Sequence, residues 1–189
     1  AVCPHAAKDA GPLIGRRVLV TGAGPIGNLA VIAARLGGAT DIVVTDLNAY
    51  PLGIARRCGA TATIDLAAQP DGLAAYEAEK GFFDVHFEAS GNQAALRGAL
   101  PTIRPRGVVV QLGMGGDFAI PINALITREI ELRGSFRFHG EFALAVDLMG
   151  RGLVDVKPLI SRSLPFEDAV AAFEIANDRS SAMKVQLAF

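Results

Sequence analysis

The sequence has little of several residue types, and each shortage excludes a class of protein. It contains no tryptophan and two cysteines, Cys3 and Cys58, which are too few and too far apart for a disulfide framework or a CxxC metal site. Unpaired cysteines are typical of the reducing cytoplasm, and the N-terminus has neither the basic nor the apolar segment of a signal peptide. We therefore expect a cytoplasmic protein.

Neither the charge nor the apolar runs point to nucleic acid or to a membrane. The net charge is −1, and acidic and basic residues are interspersed without a long charged block. Glycine and proline interrupt each apolar run before the roughly 20 residues that a membrane span needs. The composition is nevertheless apolar, with 51% hydrophobic residues and a mean hydropathy of +0.36. Richness in alanine explains this, or else part of the apolar surface packs against protein outside this chain.

Short β-branched segments alternate with helical segments through residue 138. The predicted strands lie at residues 17–21, 41–46, 61–65, 82–91, 107–113 and 129–136. The segments between them predict helices, including a polar one over residues 70–81. Strands at this spacing with intervening helices form βαβ units, so the sequence predicts an α/β fold with a doubly wound, parallel sheet of six strands.

After residue 138 the pattern changes. Residues 141–152 and 165–176 predict helices, and residues 156–165 and 184–189 predict extended segments. Apolar side chains recur on one face of the last helix and alternate in the final strand, so both should have a covered side. Those apolar residues are Phe166, Val170, Phe173, Val185, Leu187 and Phe189.

Three glycines follow the first predicted strand, in the stretch VLVTGAGPIG. Gly22 would allow a tight turn out of the strand, Gly24 would let a diphosphate approach the backbone, and Gly27 would let the next helix pack close to the sheet. Pro25 lies in the first turn of that helix, where a missing N–H costs least. Free N–H groups at the helix start would face the phosphates of a dinucleotide. A glycine-rich turn with a purely structural role is the alternative.

Asp46 ends the second predicted strand, 19 residues after Gly27. A carboxylate at that point can accept hydrogen bonds from both hydroxyls of the adenosine ribose, and its charge would repel a 2′-phosphate. Leu47 and Asn48 supply no cation that would attract one. The pattern therefore favours NAD over NADP, with helix capping by Asp46 as the alternative.

The ends of the later strands should line the same crevice, because ligands bind open parallel sheets at the carboxyl ends of their strands. Small residues there would allow close contact with the nicotinamide and its ribose, with turn formation alone as the alternative for each. These predicted cofactor-binding residues are Ala89, Ser90 and Gly91 after the fourth strand, Leu112, Gly113 and Met114 after the fifth, and Ser135, Phe136 and Arg137 after the sixth.

Seven stretches together resemble the medium-chain, zinc-dependent alcohol dehydrogenase superfamily, in particular its sorbitol and L-idonate 5-dehydrogenase branch. They are VLVTGAGPIG, IVVTD, FEASG, VVVQLGMGG, LRGSFRF, DVKPLIS and KVQLAF, and they extend over nearly the whole chain. The resemblance implies an NAD-binding Rossmann domain of strand order 3-2-1-4-5-6 over residues 16–138, after an interdomain linker helix in residues 1–15. Residues 139–189 would return to a GroES-like catalytic domain as its C-terminal remnant. That family's zinc ligands would lie upstream, and the absence of an initial Met agrees with a piece of a longer protein.

The resemblance also implies roles for individual residues. The implied cofactor contacts are Gly22, Gly24, Pro25, Ile26 and Gly27 at the diphosphate, Asp46 with its neighbour Leu47 at the ribose, Leu112, Gly113 and Met114 at the carboxamide, and Val2 beside the nicotinamide. Arg137 would lie near the substrate. Pro51 stands where relatives often carry arginine or lysine, so the adenine side would be held less tightly.

The function that the resemblance implies is NAD-dependent oxidation of a secondary alcohol in a polyol or aldonate by a longer parent protein. The chain alone would bind NAD but hold neither zinc nor a catalytic residue, so we expect it to be inactive. Family dimers join their sheets through the sixth strand, which implies a homodimer through residues 117–134. A non-catalytic dinucleotide-binding module that senses redox state is the alternative, and a methyltransferase with a similar sheet is a third possibility.

Other titratable residues are predicted to have no catalytic role. Cys3 and His5, two residues apart in a helix, would face different directions and could not easily share a metal ion. His86 lies in an apolar strand and should be a core residue, whereas His139 should lie in a surface loop on the substrate side. Glu88 should cap a helix or contact a ribose rather than act in acid–base catalysis.

Overall fold

The computed structural model describes residues 1–189, and its centre is a parallel sheet of six strands. The strand order is β3-β2-β1-β4-β5-β6 and every neighbouring pair is parallel, as predicted. Because β1 is central and the order reverses there, a crevice opens at its carboxyl end. The strands are β1 Arg17–Thr21, β2 Asp41–Asp46, β3 Ala62–Asp65, β4 Phe83–Glu88, β5 Ile103–Gln111 and β6 Glu131–Gly134.

Seven helices surround the sheet and its C-terminal extension. They are α1 Val2–Ala10, α2 Pro25–Leu36, α3 Ala49–Cys58, α4 Gln93–Ala99, α5 Ile122–Ile126, α6 Glu141–Gly150 and α7 Ala169–Asn177. The second of these begins at the proline that the sequence placed in its first turn. None of the helices has both the length and the apolar character that crossing a bilayer requires.

The core lies on both faces of the sheet. Val18 and Val20 belong to an apolar cluster that α1, α2 and α3 cover, and Leu19 belongs to a second cluster that α4 covers. All residues of β4 are buried, as expected for a strand with helices on both faces. The helices on the two faces therefore pack the strands in place, and the carboxyl ends of the strands form one edge of the sheet.

The predicted helix over residues 70–81 is wrong. That segment forms two short 3-10 turns, Ala74–Tyr76 and Ala78–Lys80, and Glu79 has a positive φ of 53° that ends helical geometry. The ring of Tyr76 packs against Phe82 and Phe83 with centroid distances of 5.3 and 4.9 Å. This aromatic cluster holds the segment against the start of β4, and tertiary packing thus overrides the local helical pattern.

The C-terminal residues form a separate two-stranded parallel sheet of β7, Ile160–Pro165, and β8, Lys184–Ala188. Val185 and Leu187 are half-buried, as the alternation predicts, but Phe189 is fully exposed. The predicted covered stripe on α7 is also exposed, at 76% for Val170 and 71% for Phe173. Large exposed apolar side chains therefore concentrate in this part of the chain, and monomeric proteins rarely expose such a set.

Candidate functional site

Two glycines of the turn after β1 are required by the protein's own packing. Gly22 has a φ of +87°, and a Cβ on it would lie 2.8 Å from the backbone N of Ser90. A Cβ on Gly27 would lie 1.8 Å from the carbonyl oxygen of Gly22. The positive φ of Gly22 fits the tight turn predicted after β1, and its missing side chain also lets the turn pass the loop after β4. The missing side chain of Gly27 lets α2 pack against this turn, and a Cβ there would also lie 3.5 Å from Val20 of the sheet.

Gly24 differs from these two glycines. Its φ is −64°, which other residues adopt readily, and no atom lies within 4 Å of the position that a Cβ would take. The missing side chain therefore serves no contact inside the protein. It leaves open space at the start of α2, which is where a ligand would need to approach the backbone.

The start of α2 is free of side-chain caps. Gly24 is the N-cap residue, no side chain accepts a hydrogen bond from the first turn, and Pro25 follows without an N–H. The N–H groups of Ile26 and Gly27 thus have no partner within their helix. Together with the partial positive charge of the helix end they are a candidate binding site for a phosphate group.

The carboxylate of Asp46 lies directly beside this turn. Its Oδ2 accepts a hydrogen bond from the N–H of Ala23 at 2.7 Å, and its Oδ1 accepts one from the N–H of Asn48 at 2.9 Å. The second bond, to the N-cap residue of α3, shows that Asp46 also supports the start of that helix. Leu47 beside it is 67% exposed and carries no charge, so the carboxylate sets the local electrostatics.

The loops after β4 and β5 pack backbone against backbone. Gly91 has a φ of +65°, and a Cβ on it would lie 2.8 Å from the carbonyl oxygen of Met114. A Cβ on Gly113 would lie 2.1 Å from the N of Gly91. Close contact between the loops thus explains these two glycines, a reason that differs from the predicted cofactor contact and from the alternative of turn formation alone. The loops, with Ala89, Ser90 and Leu112, still lie at the carboxyl edge of the sheet.

A buried polar network lies under these loops, and the sequence analysis did not identify it. Glu88 is fully buried and accepts hydrogen bonds from Ser90, Gly91 and Gln111. Gln111 ends β5 in register with Glu88. A glutamate and a glutamine at the carboxyl ends of two neighbouring strands were the signal that could have revealed it.

The residues after β6 lie at the next position along the same edge. Ser135 is buried and its N–H donates to the carbonyl of Gln111 at 3.0 Å. Phe136 is 63% exposed, and the guanidinium of Arg137 lies 5.2 Å from the centre of its ring. Arg137 has a φ of 61°, which is uncommon for a residue with a side chain. The structure thus presents an exposed cation beyond the loops after β4 and β5.

The cysteine and histidine candidates described next occupy positions that fit a structural role. Burial raises the pKa of the Cys3 thiol to about 12, and its Sγ donates to the carbonyl of Ile26. Burial lowers the pKa of His86 to about 3, and Thr21 Oγ1 lies 2.9 Å from its Nε2. His86 is therefore neutral and internal near neutral pH. His139 is exposed, as predicted for a surface loop.

His5 belongs to an ion-pair cluster between α1 and α6. Its ring nitrogens lie 3.6 Å from Asp9 and 3.4 Å from Glu141. A hydrogen bond from Lys8 to Glu141 is the main cause that lowers the pKa of that carboxyl to about 2, helped by the N–H of His139. No three His, Cys, Asp or Glu side chains anywhere in the chain come together as a metal site would require.

A mainly apolar cavity is formed largely by helices. It has a volume of about 720 Å³ and lies between α1, α2 and α6, with side chains such as Leu29, Leu144 and Met149 in its wall. Its wall also includes the side chains of Lys8 and Lys184, and Pro25 and Ile26 at the start of α2. The open turn at Gly24 is the candidate site for a charged ligand.

Comparisons with known proteins agree with this geometry. L-idonate 5-dehydrogenase (NAD(P)(+)) of Escherichia coli K12 is 44% identical over 190 residues, which cover 100% of this chain and 55% of the relative. The crystal structure of that enzyme superposes with a TM-score of 0.94 and covers 100% of this chain and 54% of its own. Sorbitol dehydrogenase of Gallus gallus is 36% identical over 187 residues, covering 97% of this chain and 52% of the relative.

A further structure carries a cofactor. A putative zinc-binding dehydrogenase from Sinorhizobium meliloti, bound to NADP, is 28% identical with a TM-score of 0.82, and the match covers 98% of this chain and 55% of that one. The chain thus spans about half the length of the relatives it matches. The family model for zinc-binding dehydrogenases matches residues 25–151. The family model and the related sequences, together with the glycine turn and the sheet order, show that the chain belongs to the zinc-binding dehydrogenase family.

Proposed function

We propose that this chain binds NAD(H) as the dinucleotide-binding part of a dehydrogenase that oxidises a secondary alcohol of a polyol or aldonate. The observation that carries the proposal is the open, uncapped start of α2 at Gly24, with the carboxylate of Asp46 beside the same turn. The substrate class is taken from relatives named for L-idonate and sorbitol. The two buried, unpaired cysteines support a reducing compartment, which we propose is the cytoplasm.

The sheet order sets how a dinucleotide would lie. A diphosphate held at the start of α2 would lie over β1, and Asp46, which ends β2, would be on one side of it. The adenosine half would therefore extend over β2, and the other half over β4 and β5. When bound, nicotinamide accepts a hydride from the alcohol. The residues of this chain would supply its position and orientation.

We propose that the chain prefers NAD over NADP because the side chain of Asp46 is negatively charged. Its carboxylate would accept hydrogen bonds from a ribose diol, and it would repel a 2′-phosphate at the same place. The related enzyme from E. coli is named for NAD(P)(+), and the S. meliloti structure holds NADP, so the family includes both cofactors. The adjacent Leu47 and Asn48 offer no cation that would attract the additional phosphate.

Zinc does not fit the residues of this chain. The absence of any cluster of three His, Cys, Asp or Glu side chains means that no zinc site of the usual composition is present here. We propose that the zinc-binding residues lie in the part of the parent protein outside this chain. The isolated chain would then bind the dinucleotide without oxidising an alcohol, and Arg137 would contact the substrate only in the whole protein.

Ligand-dependent stabilisation tests the proposed binding. At a concentration 100 times the Kd, a ligand that binds only the folded state stabilises it by about 2.7 kcal/mol. For a chain of this size that raises the Tm by roughly 5–10 °C. NADH should produce this shift, and S-adenosylmethionine at the same concentration should not. A shift with S-adenosylmethionine and none with NADH would favour the methyltransferase alternative instead.

We further propose that the chain forms a homodimer through residues 117–134. The sixth strand is at the edge of the sheet, and Leu132 on it is 39% exposed. Ile122 and Ile126 on the neighbouring helix are 59% and 65% exposed. Two such edges can pair through their main chains, and the apolar side chains would then be covered.

Light scattering measures this assembly. The wild-type chain should have twice its 19.7 kDa mass, and Leu132→Lys should yield a monomer because lysine blocks pairing of sheet edges. Val146→Lys, at a half-exposed position on α6, is the matched control and should remain dimeric. A monomeric wild type at high concentration would disprove the proposed interface.

A further inference from the structure

Glu88 is a carboxylate without a nearby cation in the interior of the protein. It is the last residue of β4 and none of its surface is exposed. Burying a charged group costs several kcal/mol unless its partners compensate for the lost water. An apolar side chain would fill the same volume without that cost, so the hydrogen bonds of this carboxylate need an explanation.

Its hydrogen-bond donors come mainly from the loop after β4 and from the end of β5, with a longer bond of 3.4 Å from the hydroxyl of Thr21 on β1. Oε1 accepts from the N–H of Ser90 at 2.9 Å and from the hydroxyl of the same residue. Oε2 accepts from the N–H of Gly91 at 3.1 Å and from Nε2 of Gln111 at 2.5 Å. Gln111 also donates to the carbonyl of Gly113 at 2.7 Å. The carboxylate therefore connects the loop after β4 with the loop after β5.

The main chain of Glu88 completes the connection. Its carbonyl accepts hydrogen bonds from the N–H groups of Leu112 at 2.8 Å and Gly113 at 2.9 Å. A Cβ on Gly113 would lie 2.7 Å from Oε2 of Glu88, so the loop passes directly against the carboxylate. The side chain of Glu88 thus holds Ser90 and Gly91 directly, and it reaches the loop after β5 through Gln111, while its main chain holds Leu112 and Gly113.

Asp84, on the same strand, shows how a carboxylate with a purely structural role is held in this protein. It lies at the amino end of β4, 6% exposed, and pairs with arginines at distances of 2.7 to 3.6 Å. Those arginines are Arg16, Arg17 and Arg104. Cations neutralise Asp84, whereas amides and the hydroxyls of Ser90 and Thr21 surround Glu88. These hydrogen-bond partners indicate that Glu88 has a role other than ion pairing.

We infer that Glu88 is a positioning residue, which fixes the two edge loops in the shape that receives the nicotinamide half of the dinucleotide. This inference rests on the proposed function, since the sheet order directs that half of the ligand over β4 and β5. Glu88 has no exposed surface with which to touch the ligand, so it acts through Ser90, Gly91, Gln111 and the loop after β5.

The variant Glu88→Gln tests the inference with two ligands. It replaces one acceptor oxygen with an NH₂ group that faces other donors, so one side of the network is lost. NADH should bind about tenfold or more weakly. ADP-ribose, which has the adenosine and diphosphate but no nicotinamide, should change by less than about threefold. Both affinities are measured by calorimetry on the wild type and the variant.

Two further variants separate positioning from general loss of stability. Asp84→Asn removes a buried carboxylate from the other end of the same strand and should leave the ratio of the two affinities unchanged. Ser90→Ala removes a single donor, so it keeps the test available if Glu88→Gln does not fold. It should lower NADH affinity more than ADP-ribose affinity, by a smaller factor.

The outcomes distinguish the inference from the proposed function. A parallel loss of both affinities in Glu88→Gln, or no loss of either, would overturn the positioning role while leaving dinucleotide binding intact. The same selective loss in Asp84→Asn would also overturn it. Failure of the wild type to bind either ligand would instead refute the proposed function, and the inference with it.

Discussion

Gly24→Ala is expected to remove most of the dinucleotide affinity and to leave the fold intact. No atom lies within 4 Å of the added Cβ, and the φ of −64° suits alanine, so stability should change by less than about 1 kcal/mol. The methyl group would occupy the space through which a diphosphate approaches the start of α2. A clash of this kind costs about 1–3 kcal/mol, which lowers NADH affinity roughly ten- to hundredfold.

Gly27→Ala is the matched control, with the opposite expectation for stability. Its Cβ would lie 1.8 Å from the carbonyl oxygen of Gly22, a backbone atom that cannot move without opening the turn. We expect a loss of about 3 kcal/mol or more and a fall in Tm of roughly 10 °C. Thermal unfolding and calorimetry with NADH measure the pair. Equal NADH affinity in Gly24→Ala and the wild type would show that the open space is not the diphosphate site.

Asp46→Asn is expected to change which cofactor the chain prefers. The amide retains an oxygen that can accept from the N–H of Ala23, so the turn should keep its shape. The charge that repels a 2′-phosphate is lost, as is the charged acceptor for the ribose hydroxyls. Hydrogen bonds to charged groups contribute about 1.5–3 kcal/mol, so NADH affinity should fall roughly ten- to hundredfold. NADPH affinity should stay the same or rise.

Asp65→Asn is the control for this experiment. Asp65 ends the neighbouring strand β3 in register with Asp46, and its Oδ1 accepts from the N–H groups of Ala67 and Ala68. It has the same chemistry but lies one strand farther from the glycine turn. Its ratio of NADH to NADPH affinity should equal that of the wild type. If Asp46→Asn also keeps that ratio, the proposed ribose contact is wrong.

The sheet could be predicted because the local sequence patterns of its strands and turns agree with the overall fold. The strands β1, β2 and β5 are rich in β-branched residues, and the turn after β1 contains glycines for which the motif predicts steric roles. The positive φ of Gly22 bears out the tight turn predicted there, and the Cβ clash at Gly27 shows that this glycine lets α2 pack closely. The start of α2 at its proline follows from the same agreement.

The segment 70–81 could not be predicted correctly, because its conformation depends on packing between side chains and not on helical propensity alone. A polar, alanine-containing stretch favours a helix by propensity, but Tyr76 packs into an aromatic cluster with Phe82 and Phe83. The covered face predicted on α7 was also wrong. The pattern at Val170 and Phe173 predicts a covered face, yet these side chains are exposed in this chain.

The candidate site was predicted in part. The positions at the carboxyl edge follow from the strand ends, but the role of small residues there does not. Positions 91 and 113 require glycine because the loops after β4 and β5 are in close contact there. That contact exists only because β4 and β5 are neighbours in the sheet. The hydrogen bond between Glu88 and Gln111 joins residues 23 positions apart, so no local pattern contains it.

The central claim is that the turn at Gly24 and the carboxylate of Asp46 together bind a dinucleotide, and titration of the 189-residue chain with NADH in a calorimeter tests it most directly. We predict saturable heat with one NADH per chain, which Gly24→Ala greatly reduces. An absence of heat from the folded wild-type chain, across NADH concentrations up to the millimolar range, would contradict the account.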